Sequence, residues 1–103
     1  MPSKKKEIKD SPASGWTFLT NHSHVLLCLA ADDSLRVRDL ADRVGITERA
    51  VMKILSELES GGVLQREREG RRNRYHIIHQ VPLRHPIEQH RTVGDLIAAV
   101  HKR

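Results

Sequence analysis

Two short apolar stripes separated by a single glycine constrain the fold of this chain more than any other feature. The stripes span residues 37–44 and 51–58, and each places apolar side chains at i, i+3, i+4 and i+7, which is one face of a helix. Gly45 lies between them, where a residue in the left-handed conformation ends a helix. Thr47 is a favourable N-cap for the second helix, with Glu48 in its first turn. The stripes consist of Val37, Leu40, Ala41, Val44, Val51, Ile54, Leu55 and Leu58.

The segment before these stripes predicts another helix. Residues 22–31 are apolar nearly all round, and Asn21 before them is a good N-cap. A helix that is apolar on every side has to lie in the centre of a fold. We therefore expect three helices to form the core.

The segment after the stripes predicts a β-hairpin and a last helix. A strand follows the Gly61-Gly62 pair and ends near Arg68, residues 69–73 form a turn-rich link, and residues 74–78 form the return strand. This pattern indicates a hairpin with a longer loop. Residues 92–95 resemble a capping box, and the stripe after it predicts a C-terminal helix. That stripe consists of Val93, Leu96, Ile97 and Val100. The fold class is therefore mainly α with a small β-hairpin.

Length and composition fit one compact domain with short extensions. The chain has 103 residues, and because only three of them are aromatic, aliphatic side chains have to supply most of the core. Residues 1–14 are basic and almost free of apolar side chains, which predicts a disordered arm. We predict one domain over residues 15–79, followed by a proline-interrupted linker and helix over residues 80–103.

The charge of the chain favours polyanionic partners. The net charge is +5, from 18 Lys and Arg against 13 Asp and Glu. Residues 66–74 alone carry five arginines against two glutamates. A hairpin with this excess of arginine is typical of a surface that binds phosphate, although charged segments are often only solvated.

The order of helix, helix, tight turn, helix and hairpin resembles the winged helix-turn-helix regulators. The closest groups are the MarR-like and ArsR-like ones, in particular their small stand-alone bacterial type. The resemblance covers roughly residues 21–79 and is carried by Leu40 to Thr47, followed by Val51, Ile54 and Leu58. It implies a three-helix core with a wing and a C-terminal helix. It also implies a sequence-specific transcriptional regulator that binds double-stranded DNA in the cytoplasm of a bacterium.

The resemblance assigns the DNA contacts to two elements. It places the recognition helix, residues 47–60, in the major groove, and the wing, residues 63–78, on the backbone or in the minor groove. Arg49 fits a guanine edge or a phosphate and Lys53 fits a phosphate, since both lie opposite the apolar stripe. Arginine suits a narrow minor groove, so Arg71 and Arg72 are the candidates for insertion. The predicted contact residues are Thr47, Glu48, Arg49, Lys53, Ser56, Arg68, Arg71, Arg72, Asn73 and Arg74.

Other functions are less well supported by the residues. His24 and Cys28 lie four positions apart and could share a metal ion, but a single cysteine provides no thiolate cluster. The chain carries no nucleophile elbow, glycine-rich phosphate loop or metalloprotease motif, so we predict no enzyme, no metal and no cofactor. A winged helix can also bind RNA or another protein, and this remains the alternative.

The two ends of the chain carry apolar residues that the winged core does not use. Trp16, Phe18 and Leu19 precede the core, and the stripe of the last helix follows it. These segments predict a homodimer whose interface includes the last helix. The alternative is that this helix folds back over the first helix of its own subunit. No apolar run approaches the roughly 20 residues of a membrane span, and one cysteine suits a reducing cytoplasm. The sequence identifies no effector.

Overall fold

The computed structural model describes residues 15–101, and its architecture is four helices with one two-stranded sheet. The predicted class, mainly α with a β-hairpin, is confirmed. Residues 1–14, the predicted disordered arm, lie outside the described residues. The elements in chain order are α1 (Asn21–Ala31), α2 (Val37–Val44), α3 (Glu48–Ser60), β1 (Leu64–Glu69), β2 (Arg72–Ile77) and α4 (Val93–Val100).

Helix α1 and its N-cap each begin one residue earlier than predicted. Thr20 is the N-cap, and its hydroxyl oxygen accepts a hydrogen bond from the Ser23 backbone N–H at 3.3 Å. The prediction of Asn21 as the N-cap was wrong. Asn21 is instead the first helical residue, and its amide oxygen lies 3.1 Å from Nδ1 of His24. Threonine and asparagine are both favourable at the N-cap, so the sequence alone did not distinguish Thr20 from Asn21.

The turn between α2 and α3 has the predicted geometry. Gly45 has a φ of 84°, in the left-handed region, and its N–H donates to the Ala41 carbonyl oxygen at 2.8 Å. The hydroxyl oxygen of Thr47 accepts a hydrogen bond from the Ala50 N–H at 3.0 Å. Because the glycine ends one helix and the threonine begins the next, α3 crosses α2 after only three residues.

The core lies where α1, α2 and α3 meet the base of the hairpin. Val25, Leu29, Leu40 and Val51 are its largest fully buried side chains, and they come from all three helices. Every residue of the predicted α3 stripe is buried. The first helix is therefore central, as its all-round apolar sequence predicts.

The hairpin turn is tighter than the predicted one. The strands pair without interruption from Leu64 opposite Ile77 to Glu69 opposite Arg72, which leaves only Gly70 and Arg71 in the turn. The prediction of a longer loop over residues 69–73 was wrong. Gly70 has a φ of 62°, which is the conformation that a two-residue hairpin turn requires at its first position.

Helix α4 is joined to the core by a short set of backbone contacts. Pro82 pairs with Thr92 in an isolated bridge, and the Gly94 N–H donates to the His79 carbonyl oxygen at 2.8 Å. Thr92 and Asp95 form the predicted capping box. The ring of His101, after the helix, lies 2.8 Å from the carbonyl oxygen of Leu27 in α1.

The predicted stripe of α4 is divided between the core and the surface. Val93 and Ile97 are buried in the core of their own subunit, whereas Leu96 is half-buried and Val100 is exposed. Half of the stripe therefore remains accessible to solvent. No helix within residues 15–101 has the length and apolar character that crossing a membrane requires.

Candidate nucleic-acid interface

The solvent-facing side of α3 carries the polar residues that the sequence analysis selected. Arg49, Lys53 and Ser56 are exposed, because the opposite side of the helix is fixed in the core by its apolar stripe. Within the described part of the chain, neither Arg49 nor Lys53 forms an ion pair. Both cations are therefore accessible to a ligand.

The start of α3 adds backbone donors to this surface. Thr47 uses its hydroxyl oxygen to cap the Ala50 N–H, so the N–H groups of Glu48 and Arg49 have no partner inside the helix. Free N–H groups at the positive end of a helix dipole attract a phosphate. Thr47 and Glu48 are themselves exposed.

Met52 is a surface residue of α3 that the sequence analysis missed. Its side chain is 60% exposed, and it follows the buried Val51 directly. An apolar side chain at this position can contact the methyl group of thymine in the major groove. The position of Met52 outside the apolar stripe was the available signal, but only polar residues were predicted as contacts on that side.

One face of the hairpin turns towards α3. Leu64 and Tyr75 on this face are buried, and Arg66 next along β1 lies 3.3 Å from a carboxylate oxygen of Glu59 in α3. Burial raises the pKa of the Tyr75 hydroxyl. Arg66 was included in the predicted positive charge of the hairpin, but it was not predicted as a DNA contact. Its ion pair with Glu59 helps to hold this face of the hairpin against α3.

Beyond this anchor, the same face opens into a polar recess. Arg66, Arg68 and Asn73 line a space of about 390 Å³. Nε of Arg68 donates to the carbonyl oxygen of Gly70 at 3.0 Å, which orients this guanidinium along the strand towards the tip. Two predicted contact residues, Arg68 and Asn73, are therefore brought together on the α3 side of the wing.

The other face of the hairpin is occupied by contacts within the protein. Arg72 donates to the carbonyl oxygen of Ser34, in the turn between α1 and α2. Arg74 lies 3.9 Å from a carboxylate oxygen of Asp33 in the same turn and 3.6 Å from one of Glu69. Arg72 thus attaches the wing to the helical core by a hydrogen bond, whereas Arg74 adds only longer ion-pair contacts, and its Nε is buried without a hydrogen-bond partner among the described residues. The acidic turn that receives them was not recognised from the sequence.

The tip of the wing consists of Gly70 and Arg71. Arg71 is exposed, and among residues 15–101 its side chain forms no ion pair or hydrogen bond. Both arginines predicted for insertion into a groove are exposed, but Arg72 already donates to Ser34, whereas Arg71 has no partner among the described residues.

Ser56 lies at the border of the α3 surface. It lines a groove between α1, α3 and α4, together with Glu57 and Ser60. Nε2 of His22 lies 2.7 Å from a carboxylate oxygen of Glu57, and this hydrogen bond lowers the pKa of that carboxyl group. The second half of α3 is therefore acidic and partly engaged with α1, which separates it from the cationic first half.

A metal centre is absent from the described part of the chain. Within residues 15–101, no group of three His, Cys, Asp or Glu side chains is arranged to hold an ion. Cys28 is half-buried in α1, and burial raises the pKa of its thiol.

Comparison with known proteins agrees with this geometry. Residues 19–65 match a family described as winged helix-turn-helix DNA-binding, and no curated protein matches the chain. The matched segment runs from Leu19 through α1, α2 and α3 to the start of β1. Residues 19–65 are thus similar to winged helix-turn-helix DNA-binding domains, and the order of helices and hairpin agrees with this similarity. The predicted fold and the predicted class of function are confirmed.

Among solved structures, the chain is similar to the zinc-dependent MarR family transcriptional regulator AdcR in the Zn(II)-bound state. The identity is 27%, the match covers 70% of this chain and 51% of that chain, and the TM-score is 0.47. The chain spans about half the length of that regulator.

Proposed function

We propose that this protein regulates transcription by binding a specific sequence in double-stranded DNA through α3 and the wing. The observation that carries this proposal is the accessible cationic surface of α3, with Arg49 and Lys53 beside the unpaired N–H groups of its first turn. A helix end of this kind can hold a phosphate while the side chains next to it reach base edges.

Within α3, each residue has a distinct proposed role. Arg49 donates two hydrogen bonds to O6 and N7 of a guanine, which is the arrangement its planar guanidinium fits. Lys53, one turn further along, neutralises a phosphate. Thr47 and the first-turn N–H groups position the helix on a second phosphate, and Glu48 accepts from N4 of a cytosine. Ser56 is the last proposed contact before the helix becomes acidic.

Within the wing, some residues are proposed to contact DNA and others to hold the wing in place. Arg71 at the tip enters the minor groove, and Arg68 and Asn73 contact the backbone from the face that turns towards α3. Arg72 and Arg74 act mainly by holding the wing in place, since both already have partners in the protein. Their role in DNA binding is therefore indirect.

The runner-up function is binding of RNA or of another protein. The same fold serves these roles, and fold alone does not decide between them. The pairing of a cationic α3 with an arginine-tipped wing favours duplex DNA, because the two elements are suited to a major groove and to an adjacent backbone or minor groove.

We also propose the setting in which the protein acts. It is a binding protein rather than an enzyme, it works in the bacterial cytoplasm, and it forms a homodimer that presents two α3 helices to two half-sites. Half-sites for such a dimer lie about one helical turn of DNA apart. The exposed outer side of α4 and the exposed residues before α1 support the dimer.

Selection of binding sites from random duplex DNA tests the proposal directly. We expect recovery of a two-fold symmetric motif, and binding that falls linearly on a plot of log affinity against log salt concentration. Single-stranded DNA and duplex RNA of the same sequence are the matched competitors. Recovery of no motif, together with equal or tighter binding to the RNA, would favour the alternative function.

A further inference from the structure

A groove lies on the side of α3 that faces α1 and α4. It encloses about 700 Å³ and is open to solvent. The connector between β2 and α4 forms one wall. Its floor is apolar and consists of Leu26, Leu58, Val63, Leu83, Val93 and Leu96. A floor of this composition is not used by the DNA contacts proposed above.

Two aromatic side chains stand exposed just before α1. Trp16 is 74% exposed and Phe18 is 90% exposed, and their rings contact each other edge to face at a centroid distance of 4.8 Å. The Thr17 hydroxyl donates to the Leu19 carbonyl oxygen, so the pair is held in a bend. Thr20, two residues after Phe18, lines the groove, but neither ring of the pair does. The aromatic pair therefore lies next to the groove along the chain but does not occupy the groove of its own subunit.

We propose that the groove receives the Trp16–Phe18 pair of a second copy of this chain. Each subunit carries one groove and one pair, so reciprocal insertion satisfies both and closes the assembly at two copies. Four rings of about 150–250 Å² each bury about 600–1,000 Å². The groove walls that cover them add a smaller area, so the total lies near the lower limit of the roughly 1,200–2,000 Å² of a stable interface.

The rim of the groove carries charged side chains that can interact with the Trp16–Phe18 pair of a second copy. Arg84 and Glu88 lie on the connector wall, and neither is ion-paired with any residue between 15 and 101. A guanidinium stacks favourably on the face of a tryptophan ring, and the indole N–H needs an acceptor when it is buried. Arg84 supplies the cation and Glu88 supplies the acceptor. The segment from Gly15 to Leu19 carries no charge of its own that would oppose insertion.

A close approach places Arg84 against the end of α3. A Cβ atom built on Gly61 would lie 3.1 Å from Nη1 of Arg84. The absence of a side chain at Gly61 therefore leaves room for the guanidinium on the groove wall. This placement brings the cation next to the negative end of the α3 dipole and keeps it beside the apolar floor.

This inference rests on the homodimer that forms part of the proposed function, and the tests separate the two. Trp16 is the single tryptophan of the chain, so its fluorescence reports on the guest alone. We expect its emission to shift to the blue and its quenching by acrylamide to fall as protein concentration rises through the dimerisation range. Light scattering on the same samples gives the mass.

Paired variants test the rim. Arg84→Gln is expected to weaken dimerisation about tenfold, because the cation–π interaction with Trp16 is removed. Arg38→Gln is the matched control, because Arg38 is exposed on α2 and does not line the groove, and it is expected to leave dimerisation unchanged. Equal dimerisation by both variants would overturn the assigned role of Arg84.

A mixing experiment shows whether insertion occurs between copies. One variant, Trp16→Ala with Phe18→Ala, keeps the groove and lacks the fluorophore; the other, Ser60→Tyr, blocks the groove and keeps Trp16. Neither is expected to show buried tryptophan alone, and the blue shift is expected only on mixing. Leu83→Arg replaces Ser60→Tyr if that variant does not fold by circular dichroism.

Two results would contradict the inference. A dimer mass with Trp16 still fully quenched would overturn insertion and leave the homodimer intact. A monomer mass at every concentration, with and without DNA, would overturn both, while salt-dependent binding to duplex DNA would still support the DNA-binding function.

Discussion

The guanidinium of Arg72 donates a hydrogen bond to the backbone carbonyl oxygen of Ser34, across 38 positions of sequence. Arg74 reaches Asp33 in the same turn. An arginine-rich hairpin is readily interpreted as a surface devoted to nucleic acid, yet two of its arginines connect the wing to the helical core. The orientation of the wing relative to α3 therefore depends on the turn between α1 and α2.

This division predicts different outcomes for neighbouring arginines. Arg71→Ala should reduce the slope of log affinity against log salt by about 0.9 for each phosphate that is no longer neutralised, and leave stability unchanged. Arg72→Ala should instead increase amide hydrogen exchange in β2, because the wing is no longer attached to Ser34. If both variants keep the wild-type salt slope, the wing is only solvated. Exchange in β2 that is unaffected by Arg72→Ala would show that the attachment is not needed.

The two cations of α3 should also behave differently. Arg49→Ala is expected to cost about 1–3 kcal/mol of specific binding and to change the preferred base at one position, since the two hydrogen bonds to guanine are removed. Lys53→Ala should weaken binding to all sequences alike, because a phosphate contact carries no base information. Binding-site selection with each folded variant distinguishes these effects. An unchanged base preference for Arg49→Ala would remove this residue from the recognition surface.

The helical part of the fold could be predicted because its signals are local. The apolar stripes of α2 and α3, the left-handed Gly45 and the Thr47 cap each depend on residues within a few positions of one another. The ten predicted contact residues remain predictions, but the structure places all five of the α3 set on its solvent side or at its start.

The rest depends on contacts between distant segments. The partners of Arg72 and Arg74 depend on the strand register, and the register depends on the two-residue turn. The polar composition of residues 69–73 is compatible with a short turn and with a longer loop, so it did not predict the register. The groove exists only because α4 packs against α1, which brings residues 82–88 into position as one wall of the groove. No periodicity in the sequence indicates such a packing.

Gly45 offers a test of the turn between α2 and α3. No atom lies within 4 Å of a Cβ built at this glycine, so Gly45→Ala introduces backbone strain without a steric clash. We expect a decrease of about 1–2 kcal/mol in the free energy of unfolding, measured by urea denaturation. Gly45→Asn should destabilise the fold less, because asparagine enters the left-handed region more readily than alanine. Equal stability of alanine and glycine at this position would contradict the assigned conformation.

The capping box of α4 predicts a dependence of stability on pH. The Thr92 N–H donates to the Asp95 carboxylate at 2.9 Å and holds the pKa of this group below its ordinary value of 3.8. A carboxyl group with a lowered pKa in the folded state stabilises the fold above its ordinary pKa, and this contribution is lost as pH falls through the lowered value. The difference in Tm between the wild type and Asp95→Ala should therefore be constant near neutral pH and shrink below pH 3.8.

Asp32 and Glu57 also have lowered pKa values, but both are present in wild type and variant alike, so their effects largely cancel in this comparison. Thermal unfolding followed by circular dichroism provides the measurement. A difference in Tm that persists unchanged in acid would show that the carboxylate does not cap α4.

Substitution of Leu96 tests whether α4 forms a dimer interface or only completes the core of its own subunit. The side chain of Leu96 is half-buried and lines the groove, whereas Val93 is 3% exposed in the core. Leu96→Glu should give a folded monomer, because a charge placed in the dimer interface opposes association without disrupting the core. Val93→Glu is the control and should unfold the domain. If Leu96→Glu unfolds as well, α4 serves chiefly to complete its own subunit.

The sheet within residues 15–101 has only two strands, so each strand has one side with no neighbouring strand to bond its backbone. Unpaired strand edges recruit other chains and lead to aggregation, and proteins commonly guard against this with charged side chains. In β1, four of six residues are Arg or Glu, and β2 begins with two arginines separated by an asparagine. The arginines proposed to bind nucleic acid thus have a second effect, because charged side chains along the strand edges disfavour the joining of two wings edge to edge.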